Sequence, residues 1–141
     1  MLADAEVIAL ASDFLERMGI QDVELHISSV GCRCCRPLHR KALQEFLQPK
    51  YEELCETCKD RFDKNPMRIL DCKSPVCKEL VQGATMMLDY LCDDCKTSLD
   101  ELKSHLDAMD INYIVDPSIV RGLDYYTKTA FEFITTKIGA Q

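Results

Sequence analysis

"DVELHISSVGCRCCRPLHRKAL", Asp22 to Leu43, contains two periods and the break between them. Val23, Leu25 and Ile27 alternate with Asp22, Glu24 and His26, the pattern of a strand with one apolar and one wetter face. At Gly31 the alternation stops. Pro37 suits a first helical turn, and Leu38, Ala42, Leu43, Phe46 and Leu47 then fall on one face of a helix that Pro49 ends. His26 reads as a strand-surface residue, not a metal ligand, because no His or Cys stands at a partner spacing on its strand.

The same two periods organise the rest of the chain. Towards the N-terminus, residues 4–18 predict an amphipathic helix with Ile8, Ala11, Leu15 and Met18 inward, Asp4 as its cap and Gly19 as its stop. Beyond Pro49, Tyr51 to Lys64 predicts a second helix whose stripe is Tyr51, Leu54, Cys55, Cys58 and Phe62. "NPMRILDCKSPVC", Asn65 to Cys77, reads as a turn, an extended piece and another turn. A third helical region runs from about Thr85 to Met109, broken near Cys92 and Cys95, with Cys95, Leu99, Leu102, Leu106 and Met109 on one face. After Asp110 the period of two returns, at Tyr113 to Val115 and at Thr129 to Thr136, where Phe131 and Phe133 share a side. Strands at both ends thus bracket a helical, cysteine-rich middle. The expected layout is α+β: sheet elements at 1–30 and 110–141, with a mainly helical insertion at 31–109.

The 141 residues suffice for one domain core, and 47% hydrophobic with 29% charged is ordinary globular composition. No apolar run approaches a bilayer span and no basic region precedes an apolar one at the N-terminus, so the expectation is a soluble, cytoplasmic chain without a membrane partner. A net charge of -7 argues against a broad nucleic-acid footprint. Gly31 to Gln44, however, holds Arg33, Arg36, Arg40 and Lys41 with no carboxylate, which makes it the candidate local contact for phosphates. The competing reading is a solvated helix face.

Eight of the nine cysteines form close pairs: Cys32 and Cys35, Cys55 and Cys58, Cys72 and Cys77, Cys92 and Cys95, with Cys34 left over. Two residues between thiolates let one backbone turn present both sulfurs to a tetrahedral ion, so four pairs would supply up to two structural zinc sites of four thiolates each. Such a site leaves no open position for substrate. Both consecutive and interleaved pairing are open at this point. Core cysteines and thiol redox chemistry are the alternatives, the latter favouring a pair at a helix start, whereas two of these pairs are expected inside helical stripes.

"VRGLDYYTKTAFEF", Val120 to Phe133, resembles the histidine-recognition motif of histidyl-tRNA synthetase, a class II aminoacyl-tRNA synthetase. "DAEVIALASDFLERMGIQDVELHISSVG", Asp4 to Gly31, resembles the helix and strand after motif 2 of that family. "YEELCETCKDRFDKNPMRILDCK", Tyr51 to Lys73, is similar to its bacterial insertion domain, and "DAMDINYIVDPSIVRGLDYYT", Asp107 to Thr127, to the return into the catalytic sheet. The resemblance implies part of the class II antiparallel sheet carrying an inserted lobe. It implies that Arg121 is catalytic, contacting the substrate carboxylate and the α-phosphate, where a fixed guanidinium suits developing charge. Gly122, Tyr125 and Tyr126 would join Arg121 in binding histidine, with Asp124 supporting the turn; Glu132 and Thr127 receive no role beyond strand structure. It further implies ATP and Mg as cofactors of the full-length enzyme, histidine and tRNA(His) as partners, and a homodimer. Motifs 1, 2 and 3 and an anticodon-binding domain have no counterpart in these residues, so the expectation is a fragment, inactive alone. A non-catalytic synthetase-like regulatory paralogue and a stand-alone zinc-binding interaction module are the rival readings.

Overall fold

The computed structural model describes residues 1–121 and 125–135. Helix α1, Leu2–Arg17, closes on Gly19, whose φ of 74° and N–H to the Glu16 carbonyl (2.9 Å) end it where the sequence predicts. Strand β1, Val23–Ser29, follows. The lobe contains α2 (Arg36–Leu47), α3 (Glu56–Lys64) and α4 (Pro75–Leu80), joined by 3-10 turns at Gln48–Glu53, Pro66–Ile69 and Met87–Tyr90. Helix α5, Asp93–Ala108, leads to a two-residue strand β2, Ile114–Val115, and then to β3, Thr129–Thr135.

The sheet order is β2-β1-β3. β1 pairs antiparallel with β3 along its whole length, and a short parallel pairing sets His26 opposite Ile114 and Ile27 opposite Val115. Register fixes the two faces. Leu25 lies opposite Phe133 and Ile27 opposite Phe131, and this apolar face packs against Ala5 and Ile8 of α1 and Leu99, Leu102 and Leu106 of α5. The other face carries Glu24, His26 and Glu132, with Glu132 directly opposite His26. A second core, built from Leu43, Leu47, Leu54, Phe62, Ile69, Cys58, Cys72 and Cys77 with Cys55 packed against it, lies within the lobe. The long helix α5 thus packs with the sheet and α1, although it follows the lobe in the chain.

Several local expectations change. The helix expected over 51–64 is two elements, because Leu54 and Cys55 are extended (ψ 143° and 155°) and Cys55 becomes the N-cap of α3. The third helical region is a 3-10 turn at Met87–Tyr90 and then α5, with the expected break at Leu91 and Cys92, the latter its N-cap. Asn65 to Cys77 is more helical than expected, with a 3-10 turn and α4, each opened by a proline that pre-sets its φ. Met18, placed inward by periodicity, is exposed together with Val7, Leu10 and Phe14, because α1 buries only the Ala5 and Ile8 side. Asp4 lies within α1 and accepts a hydrogen bond from the Thr129 hydroxyl at 2.7 Å, tying the helix to β3 instead of capping it.

Candidate functional site

All four cysteine pairs converge, in two clusters. Cys32, Cys35, Cys92 and Cys95 form one, and Cys55, Cys58, Cys72 and Cys77 the other, with all four sulfurs of each within 4.8 Å of one another. The first pair therefore meets the fourth and the second meets the third. This nested arrangement is neither consecutive nor interleaved. Sγ separations are 3.5 Å for Cys32–Cys35, 3.7 Å for Cys32–Cys92, 3.8 Å for Cys35–Cys95 and 3.8 Å for Cys55–Cys72. Four sulfurs about 2.3 Å from a central zinc would stand about 3.8 Å apart at tetrahedral angles, so the donor set fits the ion.

Local backbone explains the geometry. Gly31, at φ 66°, turns the chain out of β1 into Cys32, and Cys35 sits at the N-cap of α2. Cys55 and Cys92 cap α3 and α5, which places Cys58 and Cys95 one turn inside each helix. The pairs expected within helical stripes therefore open helices, so position alone does not separate metal from redox chemistry. Assembly into fours is what a metal site requires, whereas a redox pair needs no second pair beside it. Backbone N–H groups aim at the leading sulfurs: hydrogen bonds from the Cys35 and then the Cys34 amide hold the Cys32 thiol down at about 6, and one from the Cys58 amide holds Cys55 at about 7. Burial raises the Cys58 and Cys95 thiols instead. Each cluster thus combines sulfurs poised as thiolates with buried ones whose charge needs a cation beside it. All nine cysteines are unbridged, and Cys34 is exposed.

Arg121 stands over the polar face of the sheet. Its guanidinium donates to the Glu132 carboxylate and, at 3.1 Å, to the Phe131 carbonyl. Glu132, given only a strand role by sequence, therefore fixes the arginine. His26 Nδ1 lies 2.9 Å from Asp116, which also accepts from the Ser118 amide (2.8 Å) and hydroxyl. This network anchors the segment leading to Arg121. The bond to Asp116 raises the His26 pKa against the opposing effect of burial; burial pushes Asp116 up, and Ser118 and His26 together outweigh it to leave the carboxyl below its ordinary value. Tyr125 and Tyr126 stack at 4.9 Å between centroids but are 75% and 40% exposed, so they do not line a closed pocket here. Gly122 and Asp124 lie outside the described residues.

A cleft of about 210 Å³ runs between the lobe and the sheet, lined by Arg36, Arg40, Lys64 and Arg121 together with Val30, Pro37, Asn65, Pro66 and Met67. Two of the four basic residues singled out by sequence thus meet Arg121. Arg33 and Lys41 do not line it; Lys41 pairs with Glu45 at 3.9 Å on the outer face of α2. Lys64 was missed, because it comes from the far end of α3 and only tertiary packing brings it near. Arg40 and Gln44 donate to the Asp63 and Phe62 carbonyls, capping the end of α3. His39 was also missed: it is buried, with Nε2 at 2.8 Å from the Thr85 carbonyl, and burial drives its pKa down. Its only sequence signal was a lone histidine on an apolar helix face.

No protein-family model matches the chain. Over 140 residues, 99% of its length, the chain is 54% identical to the histidine–tRNA ligase of Desulfitobacterium hafniense, and it covers 33% of that protein. It is 54% identical over 138 residues to that of Moorella thermoacetica and 55% identical over 135 residues to that of Clostridium botulinum, covering 33% and 32% of them. Among solved structures, apo histidyl-tRNA synthetase of S. aureus superimposes with a TM-score of 0.73 at 35% identity, over 93% of this chain and 30% of that one. The chain spans about a third of the length of the curated relatives it matches.

Proposed function

We propose, from the premise that this chain is a homologue of the histidine–tRNA ligases across about a third of their length, that it supplies such an enzyme with Arg121, its histidine-site tyrosines and a zinc-stabilised lobe. The near-complete coverage of the chain at 54% identity carries the reading. The whole enzyme would join histidine to ATP as histidyl-adenylate and pass it to tRNA(His), working with Mg, as a homodimer, in the cytoplasm. No helix among the described residues is long and apolar enough to cross a membrane. Relatives that share the ligase name favour an enzyme over a regulatory paralogue or a stand-alone zinc module.

In this reading residues 1–30 and 110–141 belong to the catalytic domain and 31–109 to the insertion, whose last helix, α5, packs back on the catalytic sheet and α1. Zinc, held by the eight paired cysteines, contributes a rigid cross-link with no open coordination position. Arg121, Gly122, Tyr125 and Tyr126 hold histidine. Arg121 reaches the cleft with its guanidinium already oriented by Glu132, so it stabilises negative charge without reorganising. Arg36, Arg40 and Lys64 extend the positive lining from Arg121 towards the lobe, a path suited to tRNA phosphates, with Arg33 and Lys41 contributing from outside the cleft.

The test places this chain in the corresponding segment of the D. hafniense enzyme. Histidine-dependent exchange of pyrophosphate into ATP is expected, and Arg121→Ala should lower it by about 10²–10³-fold. A folded chimera with two zinc ions and no exchange would overturn the reading.

A further inference from the structure

The segment 125–128, which carries the two tyrosines, is held by residues that adjoin the first cysteine cluster in sequence. Arg36 directly follows Cys35; its Nε donates to the Val30 carbonyl at 2.9 Å and its guanidinium to the Tyr126 carbonyl. Asp94 lies between Cys92 and Cys95 and accepts from Lys128 Nζ at 2.9 Å. The chain entering the cluster completes the grip. Val30 N–H donates to the Lys128 carbonyl at 2.8 Å, Lys128 N–H donates to the Gly31 carbonyl at 2.9 Å, and the Thr127 hydroxyl donates to that same carbonyl at 3.4 Å. Lys128 adopts φ 60°, a conformation that a side-chain-bearing residue keeps only when its surroundings impose it. The second cluster, by contrast, packs among Leu43, Leu54, Phe62 and Ile69 inside the lobe.

We infer that the two cysteine clusters have different work, the first being a positioning device that sets the Tyr125–Lys128 segment through Arg36 and Asp94, and the second a core for the lobe alone. Arg36, Asp94 and Lys128 are then positioning residues. They act on the histidine site through the backbone of its tyrosine segment, and this rests on the histidine-site reading of that segment. Closing the first cluster fixes where α2 and α5 begin relative to β1, and hence where the guanidinium and carboxylate that clasp the segment can stand.

Amide hydrogen exchange on the zinc-loaded chain tests the inference, read at Val30 and Lys128 and paired with zinc counts. Asp94→Asn and Lys128→Met should keep two zinc ions while exchange at both amides speeds up about tenfold or more, and Lys128→Arg should restore protection. Cys92→Ser should lose one zinc and the protection together, whereas Cys72→Ser should lose one zinc and keep the protection. Unchanged protection in Asp94→Asn, or in Cys92→Ser with one zinc gone, would overturn the proposal. Zinc absent from the unsubstituted chain would count against the metal reading alone, since Cys92→Ser would still report whether the cluster holds the segment.

Discussion

Gly31 decides at one residue whether the strand can turn into the first cysteine cluster. A Cβ there would lie 2.8 Å from Cys35 Sγ and 2.6 Å from Met87 Cε, on a backbone at φ 66° that disfavours side chains. Gly31→Ala should therefore cost at least about 1–2 kcal/mol from the backbone alone and weaken metal binding at the first cluster more than at the second. Zinc counts and the chemical-denaturation midpoint check both halves. His39 makes a different demand. It is buried as the neutral imidazole, so its folded pKa lies below the ordinary value. Its contribution to stability is then complete above the unfolded pKa of about 6.5 and lost as pH falls through that value towards the folded pKa. The stability gap between the unsubstituted chain and His39→Gln should narrow on acidification over that window, a trend that unfolding midpoints at several pH values would reveal. His26 has the opposite sign. Its titration, followed by its ring proton resonances, should centre above the ordinary histidine value and move down in Asp116→Asn.

At the scale of elements, α5 has two tasks on one face. Its first turn supplies Cys92 and Cys95 to the first cluster, and Leu99, Leu102 and Leu106 then cover the sheet against α1. Truncating Leu102, which is fully buried, should cost about 2–5 kcal/mol. That loss should loosen the sheet core while the second cluster, on α3, α4 and their approaches, keeps its zinc. Spectroscopy of a cobalt-substituted sample alongside unfolding curves would separate the two. Helical periodicity identified α5 and its inward leucines, because a stripe at 3.6 residues is a local property. It failed at Tyr51–Lys64, where the stripe continues through a break: Cys55 obeys the helical spacing yet is extended, its sulfur serving the cluster instead of a helix core.

Across the whole molecule, the lobe's core includes Cys58, Cys72 and Cys77, with Cys55 packed against it. Removing metal would leave their sulfurs crowded within 4.8 Å with nothing between them, at a site where burial already opposes charge. Chelation should therefore unfold the lobe before the sheet, seen as loss of helical circular dichroism while exchange protection in β1 persists. Outside the core, Val7, Leu10, Phe14 and Met18 form an exposed apolar stripe along α1. The isolated chain should self-associate with rising concentration in sedimentation experiments, and Leu10→Lys with Phe14→Glu should shift it towards monomer.

The amino-acid sequence by itself determined the alternation of β1 and β3, the stripes of α1, α2 and α5, the eight cysteines and the motif around Arg121. All of these are written in residues a few positions apart. Tertiary structure alone decided which cysteine pairs share a cluster, since Cys32 and Cys92 stand sixty residues apart and meet only because α5 returns to the sheet beside the end of β1. It likewise brought Lys64 to Arg121, set Glu132 to hold that arginine, and left α1's outer stripe in solvent. Spacing constrains what one turn of backbone can present; the meeting of distant turns depends on how the helices pack on the sheet.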